Sequence, residues 1–223
     1  MTSKLGGITR RALVLALGLA LGSVGFSVQA LAAAPVQAHL SAQDEADLHR
    51  IETYLNNLHT MKADFEQSNP DGSVSSGKLM LSRPGKMRFE YAPPTNMLIV
   101  SDGDNVAVDD KDVKNITYYP VSTTPAWFLL REGIKLSGDV TVTKFARDPG
   151  AIRVTAVQTK HPDAGSITMV FSLQPLQLVK WIVVDPQQNS TTVALQNQTF
   201  GMSFPASLFY VPNRNAAGAN TGR

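Results

Sequence analysis

Residues 79–91 read LMLSRPGKMRFEY and contain two short strands joined by a tight turn. On both sides of the turn, apolar side chains alternate with mostly polar ones, which is the period of a strand with one buried face. The turn itself is Arg83-Pro84-Gly85, and Pro followed by Gly is typical of a turn. One side of this hairpin carries Leu79, Leu81, Met87, Phe89 and Tyr91. The segment therefore predicts an antiparallel β-hairpin with one apolar face.

The two-residue period continues on both sides of the hairpin. Between residues 60 and 198 we count about ten short strands at intervals of roughly 8–12 residues, separated by turns rich in Pro, Gly and Asn. This spacing favours a barrel or a strongly curved sheet. No repeat or linker divides the chain, so the sequence predicts one mainly β domain over residues 35–212.

Two helices interrupt the strands. Ser41, followed by acidic residues, is typical of a helix start, and apolar residues recur at helical spacing over residues 42–59. A second, short helix is predicted to open at Thr124-Pro125, with Thr124 as its cap. It carries four consecutive large apolar side chains, Trp127, Phe128, Leu129 and Leu130. One helix cannot turn all four to one side, so we expect some to face the sheet and others the first helix or a cavity.

The first 34 residues have the layout of a secretory signal peptide. Three basic residues precede an uncharged run over residues 12–28, and small residues follow, with possible cleavage after Ala32 or Ala34. The alternative is a membrane anchor, because a run of about 17 residues is at the lower limit for crossing a bilayer. We expect a cleaved signal peptide and a periplasmic product.

Composition excludes several classes of function. The chain has 223 residues, no cysteine and a formal net charge of +2. Outside the signal segment the chain has 17 of its 20 basic residues and all 18 acidic ones. Its net charge there is therefore close to zero, which gives no electrostatic reason to bind nucleic acid. No cysteine-based site, nucleotide loop, serine-hydrolase elbow or histidine zinc motif is present. These absences disfavour a lipid-active hydrolase, which would have to assemble its residues from distant strands. We expect no cofactor and no metal, and we interpret the aspartates of segment 102–112 as solvated hairpin ends.

The apolar positions have two interpretations. They can fill an ordinary core, or a curved sheet with a helix across its mouth can enclose a cavity for a ligand. The sequence alone leaves both open.

The segment 79–91, together with TMKADFEQ at 60–67 and IVSDG at 99–103, resembles the LolA family of periplasmic outer-membrane lipoprotein carriers. The order of elements over residues 45–212 is also similar to that family. The resemblance implies an incomplete, half-open antiparallel barrel of about 10–11 strands, covered by a helical lid.

The resemblance also implies a function. Family members accept lipoproteins released by an inner-membrane ABC complex, shield the acyl chains and deliver them to an outer-membrane receptor, without catalysis. We expect a monomer whose partners are acylated lipoproteins, that complex and an outer-membrane receptor lipoprotein. The alternative is an envelope sensor that uses a similar half-barrel to bind a lipid, a lipoprotein or a signalling partner.

Arg83 aligns with the arginine that ties the sheet to the lid in this family, and Met87 and Phe89 align with aromatic positions on the cavity rim. Because Arg83 shares strand parity with Leu79 and Leu81, it should point to the apolar side, where backbone carbonyls at helix ends can accept from its donors. The alternative is that Arg83 tops a hairpin in solvent. The predicted ligand-binding residues are Leu79, Leu81, Arg83, Met87, Phe89, Tyr91, Trp127, Phe128 and Leu130. The family continues past Phe209 with an ordered segment, whereas residues 213–223 here are a polar tail that we expect to be disordered.

Overall fold

The computed structural model describes residues 34–211. The predicted signal peptide up to residue 33 and the predicted polar tail lie outside the described residues. The helices are α1 (Ala42–Asn57) and α2 (Ala126–Leu130). The strands are β1 (Thr60–Ser68), β2 (Val74–Ser82), β3 (Lys86–Tyr91), β4 (Met97–Asp102), β5 (Asn105–Asp110), β6 (Asn115–Pro120), β7 (Val140–Asp148), β8 (Ala151–Gln158), β9 (Ser166–Leu173), β10 (Leu176–Val184) and β11 (Ser190–Phe200). Single 3-10 turns span Val121–Thr123, Pro162–Ala164 and Ala206–Phe209.

All eleven strands form one antiparallel sheet. Its order is β6-β5-β4-β3-β2-β1-β11-β10-β9-β8-β7, so two meanders join where β1 pairs with β11. The edge strands β6 and β7 do not pair with each other, and the sheet therefore remains an open barrel. This confirms the predicted half-open barrel. The strand that the sequence analysis missed is β5, which lies within the aspartate-rich segment.

Helix α1 begins where its sequence predicts and ends two residues earlier. The Ser41 hydroxyl accepts from the Asp44 amide at 3.2 Å, and the Asp44 carboxylate accepts from the Ser41 amide at 3.0 Å. This reciprocal cap satisfies two donors that the first turn would otherwise leave unpaired. Leu48, Ile51 and Leu55 form the buried stripe.

Ion pairs fix the start of α1 to β7. Arg147 contacts Asp44 at 2.8 Å and Asp47 at 2.5 Å, and Arg50 contacts Asp47 at 2.8 Å. Asp47 is only 3% exposed. Burial acts to raise the pKa of this carboxyl, but the hydrogen bonds from Arg147 and Arg50 outweigh it, so the pKa lies below its usual value.

The chain between the two edge strands, residues 121–139, carries α2 and lies on the same face of the sheet as α1. We call α1 and residues 121–139 together the lid. Within the lid, the Asn56 side chain bonds to both the amide and the carbonyl of Ile134, at 2.7 and 2.9 Å, and the Glu52 carboxylate accepts from the Leu136 amide at 2.7 Å. These polar residues, which α1 presents beside its apolar stripe, attach the segment after α2 to α1.

The predicted side-chain cap of α2 is wrong. The Thr124 hydroxyl donates to the Val121 carbonyl at 2.9 Å instead of accepting from the helix. No side chain caps α2 at its first turn. The preceding 3-10 turn occupies the hydroxyl that the sequence assigned to capping.

Apolar side chains cover both faces of the sheet. The main cluster lies between the lid and the face that carries Leu79 and Phe89, and it draws residues from both meanders, so the sheet curves around it. On the opposite face, Met80, Leu98 and Val100 pack under Phe209 of the last 3-10 turn. Register shifts place an extra residue in β7, β10 and β11, and such bulges bend strands and increase their twist.

Candidate functional site

The hairpin of β2 and β3 forms part of the floor under the lid. Leu79 lies opposite Phe89, and Leu81 lies opposite Met87, so the two strands present one apolar surface. All four side chains are buried in the main cluster. Trp127, Phe128 and Leu130 pack against the same cluster from the lid side.

The space enclosed between the floor and the lid is almost filled. The remaining cavity measures about 20 Å³. Its walls are Leu55, Leu58, Met61, Leu79, Leu81, Arg83, Met87, Leu129, Ile134, Leu178 and Trp181. A cavity of roughly 150 Å³ can hold benzene, and this one is far smaller, so it has no room for an alkyl chain. In this closed arrangement the apolar residues pack as an ordinary core.

Arg83 projects from the end of β2 into the joint between both lid helices. Its Nη1 donates to the carbonyl of Leu58 at 3.2 Å and also to that of Leu55, and its Nη2 donates to the carbonyl of Arg131 at 2.7 Å. The side chain thus points to the apolar side, as strand parity predicts, and its acceptors are carbonyls at helix ends. The interpretation that Arg83 tops a hairpin in solvent does not describe this arrangement.

The Arg83 guanidinium has no carboxylate partner in the described part of the chain. Among residues 34–211, its buried Nε has no hydrogen-bond partner either. Burial lowers the pKa of this group from its ordinary value. Within the described part of the chain, backbone carbonyl dipoles are the groups that compensate this charge.

The turn Arg83-Pro84-Gly85, which we call the gate turn, also holds the lid through its backbone. The Gly85 amide donates to the carbonyl of Leu130 at 2.8 Å, and the Arg83 amide donates to the carbonyl of His59 at 2.7 Å. The carbonyls of Leu130 and Arg131, which close α2, are therefore both bound by the gate turn. The end of α2 and the end of α1 meet at this one turn.

The other side of α2 borders a second, larger pocket. It measures about 280 Å³ and lies between the lid and the adjoining ends of β7, β8, β9 and β10. Trp127 and Phe128 line it together with Val140, Ala156 and Ile167. Three of the four apolar residues of α2 are thus divided between two spaces, because Trp127 and Phe128 line this pocket and Leu129 lines the small enclosed cavity.

Aromatic rings continue the floor away from the gate turn. Phe65 packs edge-to-face on Phe89 and Tyr91, with ring centroids 4.9 and 5.0 Å apart. Phe89 packs in the same way on Trp181, with ring centroids 6.2 Å apart. The Tyr91 hydroxyl bonds to Gln67 at 2.8 Å. Burial raises the pKa of Tyr91 to about 12, so the phenol stays protonated and donates this bond.

The structure brings together most of the predicted site residues and adds others. Leu129 rather than Leu130 reaches the enclosed cavity; Leu130 is buried beside it and contributes its carbonyl to the gate turn. Ile134 belongs to the cavity although it lies in a segment without regular structure. Trp181 and Leu178 share a face because a bulge separates them in β10, so simple alternation could not pair them.

Two aspartates of segment 102–112 accept hydrogen bonds from backbone amides in the turns that follow them. The Asp102 carboxylate accepts from the amides of Asp104 and Asn105 at 3.0 and 2.9 Å, and Asp110 accepts from the amide of Asp112 at 3.0 Å. Residues 34–211 contain no group of three His, Cys, Asp or Glu side chains placed to hold a metal ion. Within the same range no helix has the length and apolarity required to traverse a bilayer.

Comparison with known proteins places the chain in a family. The family described as outer membrane lipoprotein carrier protein LolA matches residues 56–212. The outer-membrane lipoprotein carrier proteins of Bordetella pertussis and Bordetella bronchiseptica are 32% and 31% identical to this chain, and each alignment covers 82% of this chain and 88% of the relative. Among solved structures, a LolA superfamily protein from Nitrosomonas europaea is similar with a TM-score of 0.44 and 8% identity over 78% of this chain and 99% of that one. With a family match over most of its described residues and relatives above 30% identity along most of their length, this chain belongs to the LolA family of outer-membrane lipoprotein carrier proteins.

Proposed function

We propose that the protein carries lipoproteins through the periplasm. It accepts the acyl chains of lipoproteins released from the inner membrane, holds them between the sheet and the lid, and delivers them to the outer membrane. The observation that supports this proposal is that the lid packs on the sheet through apolar side chains and is also bound by a buried charged group, the Arg83 guanidinium. The lid meets the sheet through apolar side chains, yet Arg83 bonds to it at the gate turn by directional contacts that a small movement breaks.

Acyl chains can replace the lid as the apolar cover of the sheet. Lifting the lid exposes apolar surface on both sides, which costs about 25 cal/mol per Å². An acyl chain inserted in the gap covers both surfaces and itself gains about 0.8 kcal/mol per buried methylene group. The hydrophobic cost of opening is thereby offset by the ligand, and the non-directional nature of these contacts suits chains of different length.

The hydrogen bonds of Arg83 and Gly85 give the exchange its direction. They form when the lid is closed and are absent when it is open, so they favour closing and unloading. Binding and release need only differential affinity for the two states, and no bond is made or broken. Catalysis is therefore no part of the proposed function.

The proposed partners follow from this cycle. An inner-membrane ABC lipoprotein-releasing complex supplies the cargo, and an outer-membrane receptor lipoprotein accepts it. The protein acts as a monomer after export to the periplasm and cleavage of residues 1–34 or 1–32. N-terminal sequencing of the protein from a Gram-negative host should give Ala33 or Pro35, whereas a retained Met1 contradicts cleavage.

Binding of acylated and non-acylated cargo tests the function directly. The chain is mixed with a detergent-solubilised triacylated lipoprotein, or with the same protein lacking its acylated cysteine, and detergent is then removed. We expect the acylated form to stay in solution and to co-elute with the chain in size-exclusion chromatography, while the non-acylated form elutes alone. Equal co-elution of both forms contradicts acyl-chain binding. Recovery from periplasm with free lipid or a membrane regulator, and without lipoprotein, favours the sensor alternative.

A further inference from the structure

A buried serine supports the gate turn from below. Ser101 lies on β4 directly opposite Met87 of β3, so its side chain shares the apolar floor. It is 0% exposed, and its hydroxyl donates to the carbonyl of Gly85 at 2.7 Å. A hydroxyl buried at an apolar position is unfavourable unless it is hydrogen-bonded. The Gly85 carbonyl is therefore the reason that a serine is accommodated there.

Gly85 is held on every polar group it has. Its carbonyl accepts from Ser101, and its amide donates to Leu130 in the lid. Its φ of +81° is a left-handed conformation, and a Cβ at this position would lie 2.7 Å from the Cα of Gly103. The gate turn thus packs without a side chain against the next turn of the sheet, and its conformation is fixed from that side.

Two donors of the gate turn bind the lid, and we call them its two arms. Both depend on this conformation. The Gly85 amide and the Arg83 guanidinium are two residues apart in one turn and bind the adjacent carbonyls of Leu130 and Arg131. A rotation of the turn would move both donors away from α2 together. The Ser101 hydroxyl belongs to neither of these two donors. It fixes the peptide group that follows Gly85, because it donates to the Gly85 carbonyl.

We propose that Ser101 is a positioning residue for lid closure. Its hydroxyl orients the gate turn, so that the Gly85 amide forms a contact with α2 that is separate from the side chain of Arg83. This inference rests on the proposed function, in which closing of the lid drives unloading. According to this inference, two donors on one turn, the Gly85 amide and the Arg83 guanidinium, stabilise the closed lid, rather than Arg83 alone.

Hydrogen exchange of the Gly85 amide tests the inference without any lipoprotein. In the full-length protein this amide should be protected by its bond to Leu130, and its protection reports how often that bond opens. Ser101→Ala removes the hydroxyl and should speed exchange at Gly85 by roughly 2- to 12-fold, the equivalent of one net hydrogen bond. Ser101→Cys retains a weak donor of similar size and should give an intermediate rate.

A second serine provides the matched control. Ser172 donates to the carbonyl of Pro175 at 2.7 Å in the turn between β9 and β10, away from the gate turn. Ser172→Ala removes a serine-to-carbonyl bond of the same length at a more exposed position and should leave exchange at Gly85 unchanged. If Ser101→Ala lowers the unfolding temperature but leaves Gly85 exchange as in wild type, Ser101 is merely structural and the inference is wrong.

Coupling to Arg83 gives an independent measure. If one supported turn carries both arms, the effects of Ser101→Ala and Arg83→Leu on Gly85 exchange should not add in the double variant. Strict additivity contradicts a shared turn. Faster exchange in Ser101→Ala combined with no lipoprotein binding by wild type would retain the positioning role while removing the carrier function, so the two proposals fail separately.

Discussion

Nη2 of Arg83 lies 2.7 Å from the carbonyl oxygen of Arg131, so a guanidinium on the sheet binds the residue that ends α2. Nη1 of the same group binds carbonyls at the end of α1. One side chain therefore joins both lid helices to the gate turn. A buried guanidinium without a carboxylate partner remains costly to desolvate, so directional bonds rather than charge pairing hold this joint.

Arg83→Leu should favour the open lid. Leucine suits the apolar floor, so the fold should persist, and loss of about 1.5–3 kcal/mol of charge-assisted bonds should raise the open-to-closed ratio roughly 10- to 150-fold. We expect loading to continue and release to fail in reconstituted transfer to outer-membrane vesicles, with the two steps scored separately. Arg83→Lys should rescue partly, because it keeps the charge but not the planar fork.

Arg88→Leu is the control for Arg83. Arg88 lies on the same hairpin and donates to the backbone carbonyl of Leu208 at 3.2 Å, beside the cluster on the opposite face. Its loss should leave both transfer steps unchanged. Normal release by Arg83→Leu would remove Arg83 as the gate, and failed loading by a folded variant would indicate direct contact with cargo.

Asn56→Ala should loosen the lid segment after α2. The amide and carbonyl of Ile134, a residue that is 1% exposed, both lose their partner. Leaving buried polar groups unpaired costs about 1–3 kcal/mol each, and a fall in the free energy of unfolding of that order should appear in urea titration. Asn57→Ala, at an exposed neighbouring position, should change it by less than about 0.5 kcal/mol. Equal effects of the two substitutions would contradict a stabilising role of the bonds between Asn56 and Ile134.

Stability should fall in acid through the ion pairs of Arg147. Hydrogen bonds from Ser41 and the contact with Arg147 lower the pKa of Asp44, and the bonds to Asp47 lower its pKa despite burial. Lowered folded-state values contribute stability above the unfolded pKa of about 3.9, and this contribution is lost as the pH falls below it. Arg147→Gln should therefore be less stable at pH 7 and lose less stability between pH 5 and 3.

Lys180→Gln controls for net charge in that experiment. Lys180 is exposed on β10, and its substitution removes one positive charge without touching Asp44 or Asp47. Its acid profile should follow that of wild type. A parallel profile for Arg147→Gln and wild type would show that these carboxylates do not govern acid stability.

Trp127→Ala and Phe128→Ala should weaken binding of a dansyl fatty acid. Both residues border the 280 Å³ pocket, and Phe128 is only 2% exposed, so its truncation should also cost about 3–5 kcal/mol of stability. Circular dichroism measures the folded fraction of each variant, and probe affinities are compared per folded molecule. Phe200→Ala, at a 45% exposed position, should bind the probe as wild type does. Unchanged affinity in folded Trp127→Ala and Phe128→Ala variants would exclude this pocket from the binding site.

Local patterns in the sequence predict the parts of the fold that local physics decides. The hairpin of residues 79–91, the cap at Ser41 and the direction of Arg83 follow from strand alternation and from hydrogen bonding between residues close in sequence. The same alternation fails at β10, where a bulge turns Trp181 to the face of Leu178. It also fails at β5, whose aspartates are more typical of turns than of strands.

The closed lid depends on contacts that no local pattern contains. Asn56 is 78 residues from Ile134, and Arg83 is 48 residues from Arg131. Family resemblance implies that Arg83 meets the lid, but it does not tell which polar residue of α1 holds Ile134. Nor does composition distinguish a cavity from a filled core, because the same apolar residues serve both.

Because β6 and β7 are the two edges of the sheet and residues 121–139 connect them, this part of the lid is also the covalent tether across the opening. Cargo that spreads the edges must draw Pro120 and Val140 apart, and the contour length of this tether then limits how wide the opening becomes. Unwinding α2 would lengthen each of its residues from about 1.5 Å to about 3.3 Å along the chain. Under the proposed function, the length of this segment therefore bounds the girth of the cargo, and an insertion between residues 121 and 139 that retains Leu129 and Ile134 would change that bound.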